Sequence, residues 1–321
     1  MHIEQWRESR AAIAPRIAVL IPCHNEAASI ARVIAGFQAH LPDARILVFD
    51  NNSTDATGRI AADAGAETRS EPLQGKGHVV RRAFADVDAD IYILVDGDDT
   101  YDAAAAPGLV ATLIENRLDM VVGTRLSGSR DAFPSGHRTG NRAINAMVRF
   151  LFGARISDLL SGYRVLSRRF VKSFPALAAG FEIETELTLH ALALDMSLAE
   201  IPCAYRPRGR GSVSKLRTYP DGARIALTIL TLLRDQKPLP FFGLIGLLLM
   251  LGGLGLGAPV VLTFLRTGLV PRLPTALLAT GLELIACLAL TCGIVLDSVA
   301  RGRLQAKRLA YLAIPPWGER G

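Results

Sequence analysis

The chain predicts an α/β sheet domain followed by two membrane-spanning helices, and three observations predict it. Short apolar runs at 17–21, 46–49, 91–95 and 120–122 alternate with helical patterns, as in a parallel sheet buried on both faces and wound with crossover helices. Two long apolar runs without Lys or Arg, 241–265 and 273–299, lie toward the C-terminus, each meeting the roughly 20 residues that a membrane helix needs. The strand-like runs also end in polar clusters. The sharpest is IYILVDGDDTY (91–101), where apolar sequence stops at Asp96, Asp98 and Asp99.

In order along the chain, the first strand ends in Pro22, Cys23, His24, Asn25 and Glu26. Ile30, Val33, Ile34 and Phe37 then mark one apolar helix face. The second strand ends in Asp50, Asn51, Asn52, Ser53, Thr54 and Asp55, and the segment after Thr54 reads as a second helix. Beyond the strand at 120–122 come a Gly, Ser and Arg-rich stretch (123–140) and helical patterns at 141–152 and 182–194. The apolar segment 223–233, between Pro220 and Pro238, reads either as a helix in the membrane interface or as one packed on the sheet.

The 321 residues are 50% hydrophobic, enough to bury one sizeable domain and leave apolar sequence over for the spans. The loop 266–272 is short, so the segments before and after the hairpin share one side of the membrane. Arg234, Lys237, Arg301, Arg303, Lys307 and Arg308 outnumber the loop's Arg266 and Arg272, which makes that side the cytoplasm. The N-terminus, with Glu4, Arg7, Glu8 and Arg10, lacks the apolar core of a signal peptide. The net charge of +6 suits an anionic partner, although anionic lipid beside the membrane explains much of it. Nucleic acid is not an expected partner. Cys23, Cys203, Cys287 and Cys292 show neither CxxC spacing nor a disulfide framework. The histidines form no ligand pattern; His24 sits in the first site loop, and His190 reads as a packed core residue.

Carboxylates crowded at a strand end repel one another, and a hard divalent cation bridging them to substrate phosphates relieves the repulsion. An isolated acidic turn is the alternative. In open α/β sheets ligands bind outside the carboxyl ends of the strands, and three successive polar strand ends point to a shared nucleotide site more than to three unrelated helix caps.

The order IPCHNE, FDNNSTD, QGKG and VDGDD resembles family 2 glycosyltransferases with the GT-A nucleotide-sugar-binding fold. GTRLSG, SGYRVLSRR, GFEIETEL and RPRGRGSVSKL, followed by a membrane hairpin, resemble the dolichyl- or undecaprenyl-phosphate branch of that family. The resemblance covers 17–216 and, more loosely, the hairpin. It implies that Asp98, with Asp96 beside it and Asp99 as a third group, holds Mg2+ or Mn2+ on the donor diphosphate. It implies that Pro22, Asn25, Glu26, Asp50 and Asn51 line the nucleoside site and that Lys76 approaches donor phosphates, against a solvated helix-start lysine as the alternative. Arg125, Arg164, Arg208, Ser214 and Lys215 become phosphate-binding groups, with Arg125 near the reacting centre. For Arg168, Arg169 and Lys172, headgroup contact or solvation is as good a reading. Glu186 falls where the family carries an acidic residue near the acceptor, with Glu184 the alternative. A phosphate acceptor is already anionic near neutral pH, so Glu186 is expected to orient it rather than serve as an essential base.

The resulting domain plan is 1–216 for the transferase, 217–238 for a juxtamembrane helix, 239–300 for the hairpin and 301–321 for a basic cytoplasmic tail. The expected activity is metal-dependent, inverting transfer of a sugar from a nucleotide donor to polyprenyl phosphate at the cytoplasmic membrane, by a multi-pass protein whose catalytic domain faces the cytoplasm. Uridine diphosphate sugars are the first choice of donor because Asn51, following Asp50, can still accept from a uracil imide; guanosine donors are the second. Association of identical copies is left open. The rivals are a transferase acting on a lipid hydroxyl, which needs Glu184 or Glu186 as a base, a nucleotidyltransferase, and a silent membrane adaptor. Glu283 inside the second span is a functional suspect, and Gly253 with Gly257 gives the GxxxG spacing of packed helices.

Overall fold

The computed structural model describes residues 14–126, 157–180, 182–206, 231, 234, 235 and 237–315. The chain divides into two compact units, one formed by Met1–Thr218 with Lys307–Gly321, the other by Tyr219–Ala306.

The first unit is built on a seven-stranded sheet. In chain order its strands are β1 (Ile17–Cys23), β2 (Arg45–Asp50), β3 (Glu67–Ser70), β4 (Ile91–Leu94), β5 (Met120–Leu126), β6 (Arg164–Ser167) and β7 (Leu198–Ala204), arranged in space as β3-β2-β1-β4-β6-β5-β7. The expected strands at 17–21, 46–49, 91–95 and 120–122 are all present. The sheet departs from the all-parallel expectation: β6 runs antiparallel to both neighbours, β4 and β5. Its sequence, RVLS, is too short and too buried to carry a directional signal.

Helices α1 (Ile30–His40), α2 (Thr57–Asp63), α3 (Lys76–Asp86) and α4 (Ala106–Glu115) connect the first five strands. The buried face of α1 is Ile30, Val33, Ile34 and Phe37, as its periodicity predicts. Ile34 and Phe37 pack into one core with Val19, Ile21, Ile93 and Val165 of the sheet. Each such side chain, removed from water, contributes about 1.5–3 kcal/mol. Two further helices, α5 (Arg168–Ser173) and α6 (Ile183–Ala193), lie on either side of the stretch that supplies one wall of the site.

Arg168, Arg169 and Lys172 on α5 are all engaged within this unit. Arg168 pairs with Asp88. Lys172 Nζ donates to the carbonyls of Phe84 and Val87, at 2.5 and 3.0 Å, finishing the C-terminus of α3. Arg169 Nε donates to the Ile314 carbonyl at 2.9 Å, and its guanidinium lies 4.9 Å from the centre of the Tyr311 ring. Tyr311 donates in turn to Asp119 Oδ2 at 3.0 Å. The residues near the C-terminus are thereby fastened to the sheet domain.

The second unit contains α7 (Pro238–Thr267) and the greater part of α8 (Leu273–Leu312), both long and apolar enough to cross a membrane. Gly268, in the left-handed region at φ 69°, ends α7. Small residues bring the two helices together: a side chain at Gly246 would meet Ala286 and Leu290, and one at Gly293 would meet Phe242 and Leu239. Gly253 lies against Ala279 and the Glu283 carboxyl, whose Oε1 is buried without a hydrogen-bond partner among the described residues. The contacts at Gly246, Gly253, Ala279, Ala286 and Gly293 follow a seven-residue spacing, and Gly257 joins Gly253 against Ala279, so the GxxxG pair also faces the other helix. Helix α8 does not stop at residue 299; it continues through Arg301, Arg303, Lys307 and Arg308 to Leu312, so part of the expected basic tail is helical. The segments 141–152, 207–230 and 316–321, with Arg208, Ser214 and Lys215, lie outside the described residues.

Candidate active site

The order of the strands places the site. From β1 the chain winds outward through β2 and β3, then returns to lay β4 on the other side of β1. Where the winding reverses, the loops after adjacent strands diverge and leave a crevice at their carboxyl ends. The loops after β1, β2 and β4 meet there.

Side chains lace the first two loops together. Asn25 Oδ1 accepts from the Thr54 N–H at 2.7 Å, Ser53 Oγ accepts from the Asn25 N–H at 2.9 Å, and Thr57 Oγ1 accepts from the Glu26 N–H at 2.8 Å. Asn25 is left-handed at φ 54°, a conformation that Asn tolerates better than most residues. Asp55 accepts from the Ala27 N–H at 3.2 Å and from Thr57. Burial alone would raise its carboxyl, but these donors outweigh burial and hold it below its ordinary value. Asp50 Oδ1 accepts from the Ser53 N–H at 3.2 Å, and half-buried Pro22 lies beside Phe49 in the β1–β2 register. Ser29 Oγ ties the first loop to the third by donating to the Gly97 carbonyl at 2.7 Å.

The third loop carries the acidic cluster, and each aspartate has a different environment. Asp98 is 5% exposed, and its Oδ1 accepts from Thr100 Oγ1 at 2.6 Å and the Thr100 N–H at 3.3 Å. Asp99, left-handed at φ 61°, pairs with Arg32 at 2.8 Å. Asp96 pairs with Lys76 at 2.5 Å, and the same ammonium stands 2.5 Å from Glu184. Lys76 is therefore not a solvated helix-start lysine. Burial works against its charge, but Asp96 and Glu184 outweigh it and raise the ammonium above the usual lysine range. Burial likewise raises the Glu184 carboxyl, opposed by Lys76.

The turn bearing Lys76 is clasped from both sides. On one side Asn51, 4% exposed, donates through Nδ2 to the carbonyls of Glu71 and Leu73, at 2.9 and 2.7 Å, while its Oδ1 accepts from the Gly75 N–H at 2.7 Å. On the other side the chain at 177–179 crosses the turn so closely that a Cβ on Gly75 or Gly77 would lie 2.2 or 2.1 Å from the carbonyl oxygens of Ala179 or Ala178. Glu186 holds that crossing chain by accepting from the N–H groups of Leu177 and Ala178, at 3.1 and 2.8 Å.

Several expected roles change as a result. Asn51 is a clasp of the Lys76 turn, because its amide is spent on backbone groups rather than presented to a base. Glu186 is the anchor of the 177–179 crossing. Of the two glutamates weighed as the acidic group of the site, Glu184 is the one that faces Asp96 and Lys76. Arg164 is fully buried and donates to the carbonyls of Ser161, Leu159 and Glu184 and to Thr188 Oγ1, which makes it a framework group, not a phosphate clamp. Arg125 forms a two-pronged pair with Asp158, at 2.7 and 2.6 Å. Asp158, Ala178 and Ala179 escaped the sequence reading because backbone and ion-pair partners distant in sequence leave no local motif.

A divalent cation takes about six oxygen ligands. Among the described residues no three His, Cys, Asp or Glu side chains converge as a ready metal cluster. Asp96 and Asp98 supply two hard carboxylates of the right chemistry, oriented by Lys76 and Thr100. That donor set fits a cation completing its coordination with substrate phosphates and water.

The glycosyl transferase family 2 profile matches residues 18–174. Glycosyltransferase AglJ of Haloferax volcanii is 36% identical over 242 residues, which cover 75% of this chain and 79% of AglJ. The dolichyl-phosphate hexose transferase of the same organism is 27% identical over 221 residues, covering 69% of this chain and 95% of that protein. Among solved structures, glucosyl-3-phosphoglycerate synthase from Mycobacterium tuberculosis in complex with Mn2+, UDP-glucose and phosphoglyceric acid is 26% identical, with a TM-score of 0.57 over 72% of this chain and 82% of its own. The profile runs from β1 to just past α5, taking in the first six strands, and the AglJ alignment extends across most of both proteins: this chain belongs to glycosyl transferase family 2.

Proposed function

We propose that this glycosyltransferase moves a sugar, with inversion, from a nucleotide donor to polyprenyl phosphate at the cytoplasmic face of the inner membrane. The observation that carries the reading is the pairing of Lys76 with both Asp96 and Glu184 beside the DGDD loop at the sheet's switch point, in a chain that also holds two helices long and apolar enough to cross a membrane. The dolichyl-phosphate hexose transferase named above supports the lipid acceptor. The synthase complex with Mn2+ and UDP-glucose supports a uridine donor and a metal. With Asn51 turned inward, the case for uridine rests on that likeness.

In this reading the loops after β1 and β2, with Pro22, Asn25, Glu26 and Asp50, form the nucleoside wall. Asp96 and Asp98 would hold Mg2+ or Mn2+, which when bound supplies Lewis-acid stabilisation of the leaving diphosphate. Lys76 keeps the Glu184 carboxylate paired and the acidic cluster tolerable in a buried setting. An ionised phosphate oxygen attacks the anomeric carbon without a strong base, and Arg208, Ser214 and Lys215 are proposed to bind that phosphate. The hairpin keeps the enzyme where its lipid acceptor resides, and association of identical copies is compatible with it.

The test is to incubate purified protein with a panel of nucleotide sugars, polyprenyl phosphate and Mn2+, reading the lipid product by mass spectrometry. Glycosylated polyprenyl phosphate is expected. Comparable transfer to unphosphorylated polyprenol would favour the lipid-hydroxyl alternative, and absence of any donor turnover would favour the adaptor.

A further inference from the structure

Lys76, Asp96 and Glu184 form an ion cluster of unequal partners. The side chains of Lys76 and Glu184 are only 8% and 6% exposed, whereas that of Asp96 is 32% exposed. One ammonium serves two carboxylates, each at 2.5 Å. Glu184 is left short: its Oε2 is buried without a hydrogen-bond partner among the described residues. A buried carboxylate oxygen in that condition carries a desolvation cost that a closer cation would relieve. The Lys76 backbone is pinned by the crossing chain at Ala178 and Ala179. Asp96 is backed by Gly162, where a Cβ would lie 2.2 Å from its Oδ2.

We infer that Lys76 is a positioning residue that occupies Asp96 until a metal arrives and is then handed over to Glu184. The inference rests on the metal reading proposed above and adds a role for two residues that do not bind the ion. An ammonium on Asp96 Oδ1 competes with a divalent cation for the same oxygen. The unsatisfied Oε2 of Glu184 gives the displaced ammonium a second hydrogen bond, so the exchange leaves no buried charge alone. Asp96, the most exposed of the three, is the partner that gives up the ammonium.

The test measures Mn2+ affinity directly, by electron paramagnetic resonance of free Mn2+, on the full-length protein in detergent with UDP present. Lys76→Met is expected to bind Mn2+ more tightly by about fivefold or more, because a competing positive charge is removed. Glu184→Gln, nearly isosteric, is expected to bind more weakly, because the ammonium then has only Asp96. In Lys76→Met/Glu184→Gln the Glu184 effect should vanish. A plain field effect of Glu184 would instead weaken binding equally in both backgrounds and would overturn the inference, as would a Lys76→Met variant that binds no tighter than wild type. Should Lys76→Met fail to fold by circular dichroism, an unchanged affinity in Glu184→Gln overturns it by itself. Wild-type protein that binds no Mn2+ with UDP overturns the metal reading, and this inference with it.

Discussion

The Lys76 ammonium and the Glu184 carboxylate meet at 2.5 Å although they stand 108 positions apart in sequence, with both side chains under a tenth exposed. The pair ties the N-terminus of α3 to the first turn of α6 and brings the GKG and ETEL motifs into one site with the DGDD loop.

The metal reading predicts the behaviour of Asp98. Asp98→Asn keeps an oxygen that can accept from Thr100 but removes the charge a divalent ion needs. Turnover should fall by roughly 100-fold or more while the melting temperature is retained, and a chelator should reproduce the loss in wild type. Full activity in excess chelator would refute metal dependence.

Asn51→Asp should act on stability before specificity. The substitution replaces two N–H donors with a carboxylate oxygen facing the carbonyls of Glu71 and Leu73. Leaving those groups opposed in a buried setting should cost about 2–4 kcal/mol, seen as a lower melting temperature. An unchanged melting temperature together with altered nucleotide preference would restore Asn51 to the base-binding site.

Glycine substitutions should separate the clasped turn from an open helix surface. Gly77→Ala drives a Cβ into the Ala178 carbonyl and should destabilise by about 1–3 kcal/mol, with turnover lost as Lys76 shifts. Gly108→Ala in α4 meets nothing within 4 Å among the described residues and should stabilise by about 0.5–1 kcal/mol. Thermal denaturation of both proteins checks the opposite signs.

His190 predicts an acid-sensitive component of stability. It is buried against Phe170 and Phe174, with Ser173 Oγ 3.2 Å from Nε2 and with Nδ1 lacking a partner among the described residues. Burial, and secondarily Lys307, lower its pKa from 6.5 to about 3. The folded state therefore holds His190 neutral while the unfolded chain takes up a proton below 6.5, so the contribution is full above that pH and is lost on acidification toward 3. The loss should reach about 1.4 kcal/mol per pH unit. His190→Phe should flatten this segment of the melting temperature against pH, and an unaltered profile would contradict the assignment.

Which parts of this were legible in the sequence follows from the range of the interactions. The apolar face of α1, the strands at 17–21 and 91–95 and the two long helices are written locally, since periodicity and run length are properties of neighbouring residues. The carboxylates of DGDD are likewise legible, because charge crowded at a strand end has few outlets. The antiparallel insertion of β6 was not, since a buried four-residue run reads the same in either direction.

By itself the sequence determined the winding of the sheet's first half, the family, and the set of residues from which a site could be made. Only the tertiary structure decided what each does. It enclosed Arg164 in carbonyls, paired Arg125 with Asp158, turned Asn51 onto the backbone, and chose Glu184 over Glu186 to face Lys76. A motif fixes which group is available, but a buried charge or amide must satisfy its bonds with whatever the fold brings beside it, and those partners lie from a few to more than a hundred residues away.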